Sequence, residues 1–438
     1  MTSKRLIGLA VLAALGIAWF ITAPPQHIKI APAYNMAPAN SALQAVSATA
    51  DDLAAGRIQG VDVPGHDDVV LQEELGRAFI TARDGWIWKL DLATGKAERF
   101  VQTPLVPSGA RIVPTDPDRL LFCASHLHGF KPATQAPVGV YELRLSTREI
   151  RPVGVQVPLP PPIDSPKPGN QGTVFPLGAG NALPFRDMTD RNSRPVRFCN
   201  DLDISRDGKR VYMSEPYPFP GAAMGDAAYE EAVSLAHNGR LWMFDLEQQA
   251  ARLVAQDYHF VDGILVDYGS EGADGIEQSV VVSETPKFRM LRYYVAGPKA
   301  GTDEVLQEFL PGMPDGINRD RDGRLYVALY TMRTGVMTWI HANPWIKHLL
   351  LRLSPGMFPV RHDTGYMVFD ASGKQALYMA AHDGKHVRHV SKINPGRDAV
   401  YLASFDRENR GVHSVPYPVW PKIVGSNAQP RPATAGAR

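Results

Sequence analysis

Four oxygen-bearing side chains, Asp67, Asn200, Asp262 and Asp315, stand at matching places in a repeated pattern. The clearest copy runs from Arg197 to Glu215, RFCNDLDISRDGKRVYMSE. There Asn200-Asp201 precedes a short alternating run, Asp207-Gly208 makes the turn, and a β-rich run follows; such a turn is a strong hairpin signal. Met313 to Tyr330, MPDGINRDRDGRLYVALY, repeats it around Asp322-Gly323. FVDGILVDYG followed by QSVVVSET repeats it with a longer turn, and HDDVVLQEELGRAFITARDG is a looser first copy. If the four residues converge, they form an oxygen-only site suited to a hard cation such as Ca2+. A lone Asp before Gly is usually a turn residue; four at equivalent repeat positions are harder to read that way. Asp68 could replace Asp67 in the loose first copy, and Asp201 is expected to satisfy backbone donors beside the site.

A cation so placed would act as a Lewis acid on a carbonyl or phosphoryl oxygen. The catalytic candidates are then Asp315 and Asp262, as metal-bound carboxylates able to activate water, and a histidine, His126. His126 and His128 follow the run LLFCAS, and His382 follows LYMAA, so all three stand at strand ends. Each also suits a structural or surface role. The chain holds neither a G-x-S-x-G nucleophile elbow nor an H-E-x-x-H zinc motif. Its two cysteines, Cys123 and Cys199, are too few for a disulfide framework. They fit either one bond in an oxidising compartment or two buried thiols.

The element that must position these residues is the repeat itself. The last two repeat intervals are 62 and 53 residues. Units of that size point to an all-β fold, a β-propeller in which each unit is a four-stranded blade whose first strand lines the central channel. Six blades can be counted between residues 59 and 416, with one outer strand missing, which a segment near 58–63 could supply to close the ring. Residues 154–195 form a long Pro- and Gly-rich excursion that could roof the channel. Helical insertions are expected at Ala223 to Gly239, ending at a glycine cap, and from Asn343 to Leu353. The second carries Trp345, Ile346, Leu349, Leu350 and Leu353 on one face and Lys347, His348 and Arg352 on the other. That pattern suits a membrane interface or a lid.

Residues 6–23 are almost uniformly apolar after Lys4-Arg5, which reads as an uncleaved transmembrane signal anchor in preference to a cleaved signal peptide; either way the remainder is exported, to the periplasmic, lumenal or extracellular side. The expected organisation is a cytosolic stub and anchor over 1–25, a linker over 26–58, the propeller over 59–416 and a disordered tail over 417–438. With 46 basic and 45 acidic residues the charge is balanced, which argues against a nucleic-acid partner.

Several stretches carry a family resemblance: FCNDLDISRDGKRVYMSE, SETPKFRMLRYYVAGPKAGTDEVLQEFLPGMPDGI, NPWIKHLLLRL and HVSKINPGRDAVYLASF, together with the apolar N-terminus. Over about residues 60–416 the chain resembles the strictosidine synthase-like branch of the superfamily that also holds gluconolactonase (senescence marker protein) and the paraoxonases. Within that branch it resembles the adipocyte plasma-membrane-associated protein type. The resemblance implies a six-bladed propeller with a divalent cation, usually calcium, held at the starts of inner strands. It places Asn200 at the family's Asn-Asp position and Asp315 at its Pro-Asp position. Asp262 stands where the family usually has Asn before Gly, and Asp67 where the first blade usually carries Glu. Both substitutes remain oxygen ligands, and the set is more anionic than the common one. Metal-dependent relatives hydrolyse lactones, aryl esters or phosphotriesters, which implies a small-molecule lactone or ester substrate here. The catalytic glutamate of strictosidine synthase itself has no clear counterpart in DAVYLASFDRENRG, where Glu408 is nearby, so alkaloid condensation is not expected. The other class open to the chain is a binding or scaffolding propeller at a membrane with a structural cation.

Overall fold

A computed structural model describes residues 3–22, 28–38, 47–48, 56–132, 135–161, 172–269, 275–353 and 361–418. Six antiparallel sheets follow one another along the chain. Blade 1 comprises His66–Gln72, Arg77–Ala82, Trp86–Asp91 and Ala97–Gln102, and blade 2 Val106–Val113, Asp116–Ser125, Gly139–Arg144 and Glu149–Gly154. Blade 3 comprises Leu202–Ile204, Arg210–Glu215, Gly239–Asp245 and Ala250–Tyr258, and blade 4 Val261–Asp267, Ser279–Glu284, Arg289–Tyr294 and Asp303–Gln307. Blade 5 comprises Gly312–Arg319, Leu325–Met332, Thr364–Phe369 and Ala376–His382. Blade 6 takes Val390–Pro395, Ala399–Ser404 and Val412–Pro416 from the C-terminal part, and its outer strand is Arg57–Gln59. That strand pairs antiparallel with the last one, Ile58 opposite His413, so the ring closes as the repeat count required.

Each blade packs both faces on its neighbours, so the middle strands read as continuous apolar runs rather than alternating ones. Val280, Val281 and Val282 are all fully buried, as are Phe79 and Ile80. Cys123, on the second strand of blade 2, forms a disulfide with Cys199, just before blade 3. Of the two sequence readings, the single bond is the one found, and it ties neighbouring blades together.

Several insertions differ from expectation. The described part of the 154–195 excursion does not roof the channel. Thr173–Val174 and Leu183–Pro184 pair with Ala250–Tyr258, so it covers the outer edge of blade 3. An edge strand has unpaired backbone groups that need such a cover. Residues 162–171 lie outside the described residues.

Four α-helices accompany the sheets among the described residues. Helix α1 (Ser3–Thr22) occupies the expected anchor, but among the described residues no helix is long and apolar enough to cross a membrane. Helix α2 (Asp226–Ser234) ends at Leu235, which takes the left-handed cap conformation itself (φ 53°); Gly239, the expected cap, instead begins a strand. Helices α3 (Gly335–Ala342) and α4 (Pro344–Leu350) meet at Asn343. Asn343 precedes Pro344 as the sequence suggested, yet its side chain caps nothing in α4 and donates back to the Trp339 carbonyl of α3 at 2.8 Å. The anticipated basic face of α4 is not wholly solvated, because Lys347 is fully buried while Trp345 is exposed.

Residues 28–38, within the stretch read as linker, lie against the propeller. Ile28, Ala31 and Met36 are buried, and the Ala31 and Tyr34 amides donate to the Ser234 and His341 carbonyls. Most of the expected C-terminal tail, 419–438, lies outside the described residues.

Candidate metal centre in the propeller channel

Inner strands alternate, so a residue reaches the channel mouth only if the backbone turns it there. β-Bulges do this. Asp67 lies in a register shift between His66 and Asp68, Asp262 in one between Val261 and Ile264, and Asp315 in one between Pro314 and Ile317. A bulge adds one unpaired residue and re-aims its side chain. Asn200 reaches the same level from just before the inner strand of blade 3. The glycines after Asp262 and Asp315 have a packing reason: a Cβ on Gly263 would collide with the Asp315 carbonyl, and one on Gly316 with the Ser391 carbonyl. The Asp-Gly pairs that could have been turns are therefore points where neighbouring inner strands nearly touch.

Asn200, Asp262 and Asp315 come together, with Asp67 near them. The Asn200 side-chain amide donates to Asp262 Oδ1. The Thr285 hydroxyl lies 3.0 Å from Asp262 Oδ2 and 2.7 Å from the Pro314 carbonyl. Asp262 and Asp315 share a hydrogen bond, and Asp67 lies close enough to both for their charges to interact. Burial raises the pKa of Asp67, Asp262 and Asp315 above the usual carboxylate range, and the negative charges beside them add to the rise.

A second layer carries the cations. Lys392 Nζ, from blade 6, lies 2.5 Å from Asp201 Oδ1 and 3.2 Å from Asp68 Oδ2. Arg111, from blade 2, bridges Asp68 at 3.1 Å and Asp203 at 3.2 Å, and its far nitrogen reaches the Ile317 carbonyl of blade 5. The same acids also join blades through the backbone. Asp68 accepts from the Val69 and Ala110 amides, Asp201 from Leu202 and Ile264, and Asp203 from Ile204 and Val266. Asp68 thus belongs to this layer rather than replacing Asp67, and Asp201 satisfies backbone donors as expected.

Lys392 and Arg111 are engaged there, and no ion pair reaches Asp67, Asp262 or Asp315 among the described residues. Three carboxylates and an amide, all oxygen donors, match the chemistry of a hard divalent cation.

Of the catalytic candidates, Asp315 and Asp262 stand in this cluster. His126 is exposed, past the end of the second strand of blade 2, with its carbonyl taken by the Met224 amide at 2.8 Å. Sequence reasoning missed His389, just before the inner strand of blade 6. Its ring nitrogens lie 2.8 Å from Asp406 Oδ2 and 3.0 Å from the Arg361 carbonyl, and Tyr330 stacks on it at 4.7 Å. Tyr330 in turn senses the charges of Asp315 and Asp67, which sets this stack beside the carboxylates. Lys392 was missed as well; a lysine inside the apolar strand VSKIN was the available signal.

No family model matches the chain. Strictosidine synthase-like protein 10 of Arabidopsis thaliana is 28% identical over 240 residues, covering 53% of this chain and 60% of that protein. The adipocyte plasma membrane-associated proteins of Salmo salar and Homo sapiens are 27% and 23% identical over 220 and 230 residues. They cover 48% and 50% of this chain and 50% and 51% of their own lengths. The chain thus spans about half the length of the curated relatives it matches. Among solved structures, a gluconolactonase of Xanthomonas campestris has a TM-score of 0.48 at 14% identity, covering 90% of this chain and 99% of its own. A calcium-binding regucalcin of Agrobacterium tumefaciens has 0.48 at 11%, covering 86% and 98%. At these values neither likeness bears on activity. The resemblance carried by the sequence motifs is matched by the curated relatives: the chain is similar to strictosidine synthase-like and adipocyte plasma membrane-associated proteins.

Proposed function

We propose that the protein is a membrane-anchored, cation-dependent hydrolase of lactones or aryl esters, with its centre at Asp67, Asn200, Asp262 and Asp315. The observation that carries this reading is the contrast between the two layers of the channel. The deeper acids have Lys392 and Arg111, whereas among the described residues no cationic side chain is bonded to the three carboxylates at the mouth. The four residues would hold Ca2+ or another hard divalent cation, which when bound supplies Lewis-acid polarisation of a substrate carbonyl. Asn200 and Thr285 each bond one oxygen of Asp262 and so hold its carboxylate in place. Asp315 or Asp262 accepts the proton of the attacking water; His126, exposed outside this cluster, is the remaining candidate base. Tyr330 and His389 form the wall past which a small substrate enters.

The membrane anchor rests on Lys4-Arg5 ahead of the apolar run 6–23 and on the exposed indoles of Trp339 and Trp345. A disulfide suits an exported domain. Protease added to intact spheroplasts or sealed microsomes tests the orientation; a propeller protected in spheroplasts, or digested in intact microsomes, contradicts it.

A second reading, a binding or scaffolding propeller with a structural cation, is favoured by one observation. Both ring nitrogens of His389, beside the carboxylates, are already bonded. A panel of lactones and aryl esters assayed with and without chelator separates the two. Chelator-sensitive turnover supports the hydrolase, and binding without turnover of any member contradicts it.

A further inference from the structure

Under the corner between α3 and α4, away from the channel, three basic side chains are buried with no acid bonded to them among the described residues. Lys347 is 0% exposed, His341 2% and Lys287 3%. Tyr34 links the elements that carry them. Its amide donates to the His341 carbonyl at 2.9 Å, its hydroxyl donates to the Lys287 carbonyl at 3.3 Å, and Lys287 Nζ lies 4.6 Å above its ring. Among the described residues, the Lys347 ammonium and the His341 Nδ1 are buried without any hydrogen-bond partner. An unpaired buried ammonium is strongly unfavourable, and one lying near a second ammonium is more so.

Of the acids that act on Lys287, Glu308 is exposed and forms no ion pair with it among the described residues, and the buried acids nearby have other partners. Glu284 is bonded to Arg289 and accepts the His259 amide at 2.7 Å, and Glu231 accepts from the Asn238 side chain at 2.7 Å. Burial first, then mutual repulsion, pushes Lys347 down to about 8. The same two effects hold the His341 ring neutral, with its pKa lowered to about 3. A neutral ring can place its proton on Nδ1 and donate it.

We propose that this buried basic cluster is an oxyanion site, binding a carboxylate or phosphate between Lys347 and Lys287 with His341 as a neutral donor. The two ammonium groups supply the charge, and His341 supplies a directed hydrogen bond. The oxyanion is either free or the head of an acyl amphiphile; exposed Val336, Trp339 and Trp345 lie on the outer side of the same two helices.

The test is thermal unfolding of the full chain in chelator, so that the channel acids hold no metal, with phosphate, acetate or decanoate added. The wild type should melt higher as the anion is raised, because a ligand of the native state stabilises it by mass action. Lys347→Met should lose that shift, with an apparent affinity at least about tenfold weaker. Without anion, Lys347→Met should melt above the wild type, since the uncompensated ammonium is gone. A shift with decanoate alone assigns an acyl amphiphile, and a shift with phosphate or acetate assigns a free oxyanion. If Lys347→Met does not fold, Lys287→Met replaces it with the same expected loss. No shift in the wild type with any of the three anions, or an equal shift in the variant, overturns the proposal.

Discussion

Lys392 Nζ lies 2.5 Å from Asp201 Oδ1, so a side chain of blade 6 is bonded to one of blade 3 on the far side of the channel. Together with Arg111 it closes the channel beneath the candidate metal centre. Removing this ammonium leaves Asp68 and Asp201 buried without their common partner. Lys392→Met should therefore cost about 3–5 kcal/mol, the usual loss when one member of a buried ion pair is removed. Denaturant unfolding measures it, and a loss below about 1 kcal/mol would show that the network is not needed for stability.

The disulfide between Cys123 and Cys199 closes a loop of 76 residues. Loop-closure entropy puts its contribution at about 4 kcal/mol. The double variant Cys123→Ala/Cys199→Ala should melt well below the oxidised wild type and match the reduced protein. Equal melting of the oxidised and reduced wild type would contradict this.

Glu231 gives a pH signature. Burial pushes its carboxyl up to about 8 from 4.5, outweighing the hydrogen bond from Asn238. The folded chain holds this proton where the unfolded chain has released it. Its contribution to stability is therefore complete below about pH 4.5 and falls as pH rises toward 8, by at most about 1.4 kcal/mol per pH unit. Unfolding at several pH values should show a shallower decline for Glu231→Gln than for the wild type; parallel curves would contradict the assignment.

Trp339 and Trp345 pack edge to face at 6.0 Å, and both are about half exposed. If this corner rests on a bilayer, Trp339→Ser/Trp345→Ser in a chain lacking residues 1–25 should bind liposomes about tenfold more weakly, since each indole loses apolar contact area. Unchanged liposome binding leaves the helices as a lid only.

Much of the architecture was legible because it rests on local pattern. The repeats, the Asp207-Gly208 and Asp322-Gly323 turns and the missing outer strand all followed from hairpin chemistry and counting. The four oxygen side chains were legible as equivalents, although the bulges that turn Asp67, Asp262 and Asp315 were not. A bulge is a backbone event, and nothing in VDGIL or PDGIN distinguishes it from a tight turn. The pairing of Lys392 with Asp201 spans 191 residues, and only closure of the ring brings the two together. The burial of Lys347 was hidden for a similar reason. Its place on the polar face of α4 says nothing about α1, α2 and α3, which pack against that helix. The excursion after blade 2 misled through its length, because covering the edge of blade 3 also demands a long chain.

The central claim is that Asp67, Asn200, Asp262 and Asp315 hold one cation. Calcium titration followed by thermal unfolding, on the wild type, Asp315→Ala and Asp207→Ala, tests it most directly. Asp207 lies at the outer turn of blade 3, bonded to the Lys209 amide and to Arg210, outside the channel. Removing Asp315 takes away a ligand and a charge, and it also relieves repulsion in the metal-free protein. The quantity to compare is therefore the calcium-induced shift and not the starting melting temperature. The account predicts a rise in melting temperature with calcium in the wild type and in Asp207→Ala, and little or none in Asp315→Ala. An equal shift in all three proteins, or no shift in the wild type at millimolar calcium, would contradict it.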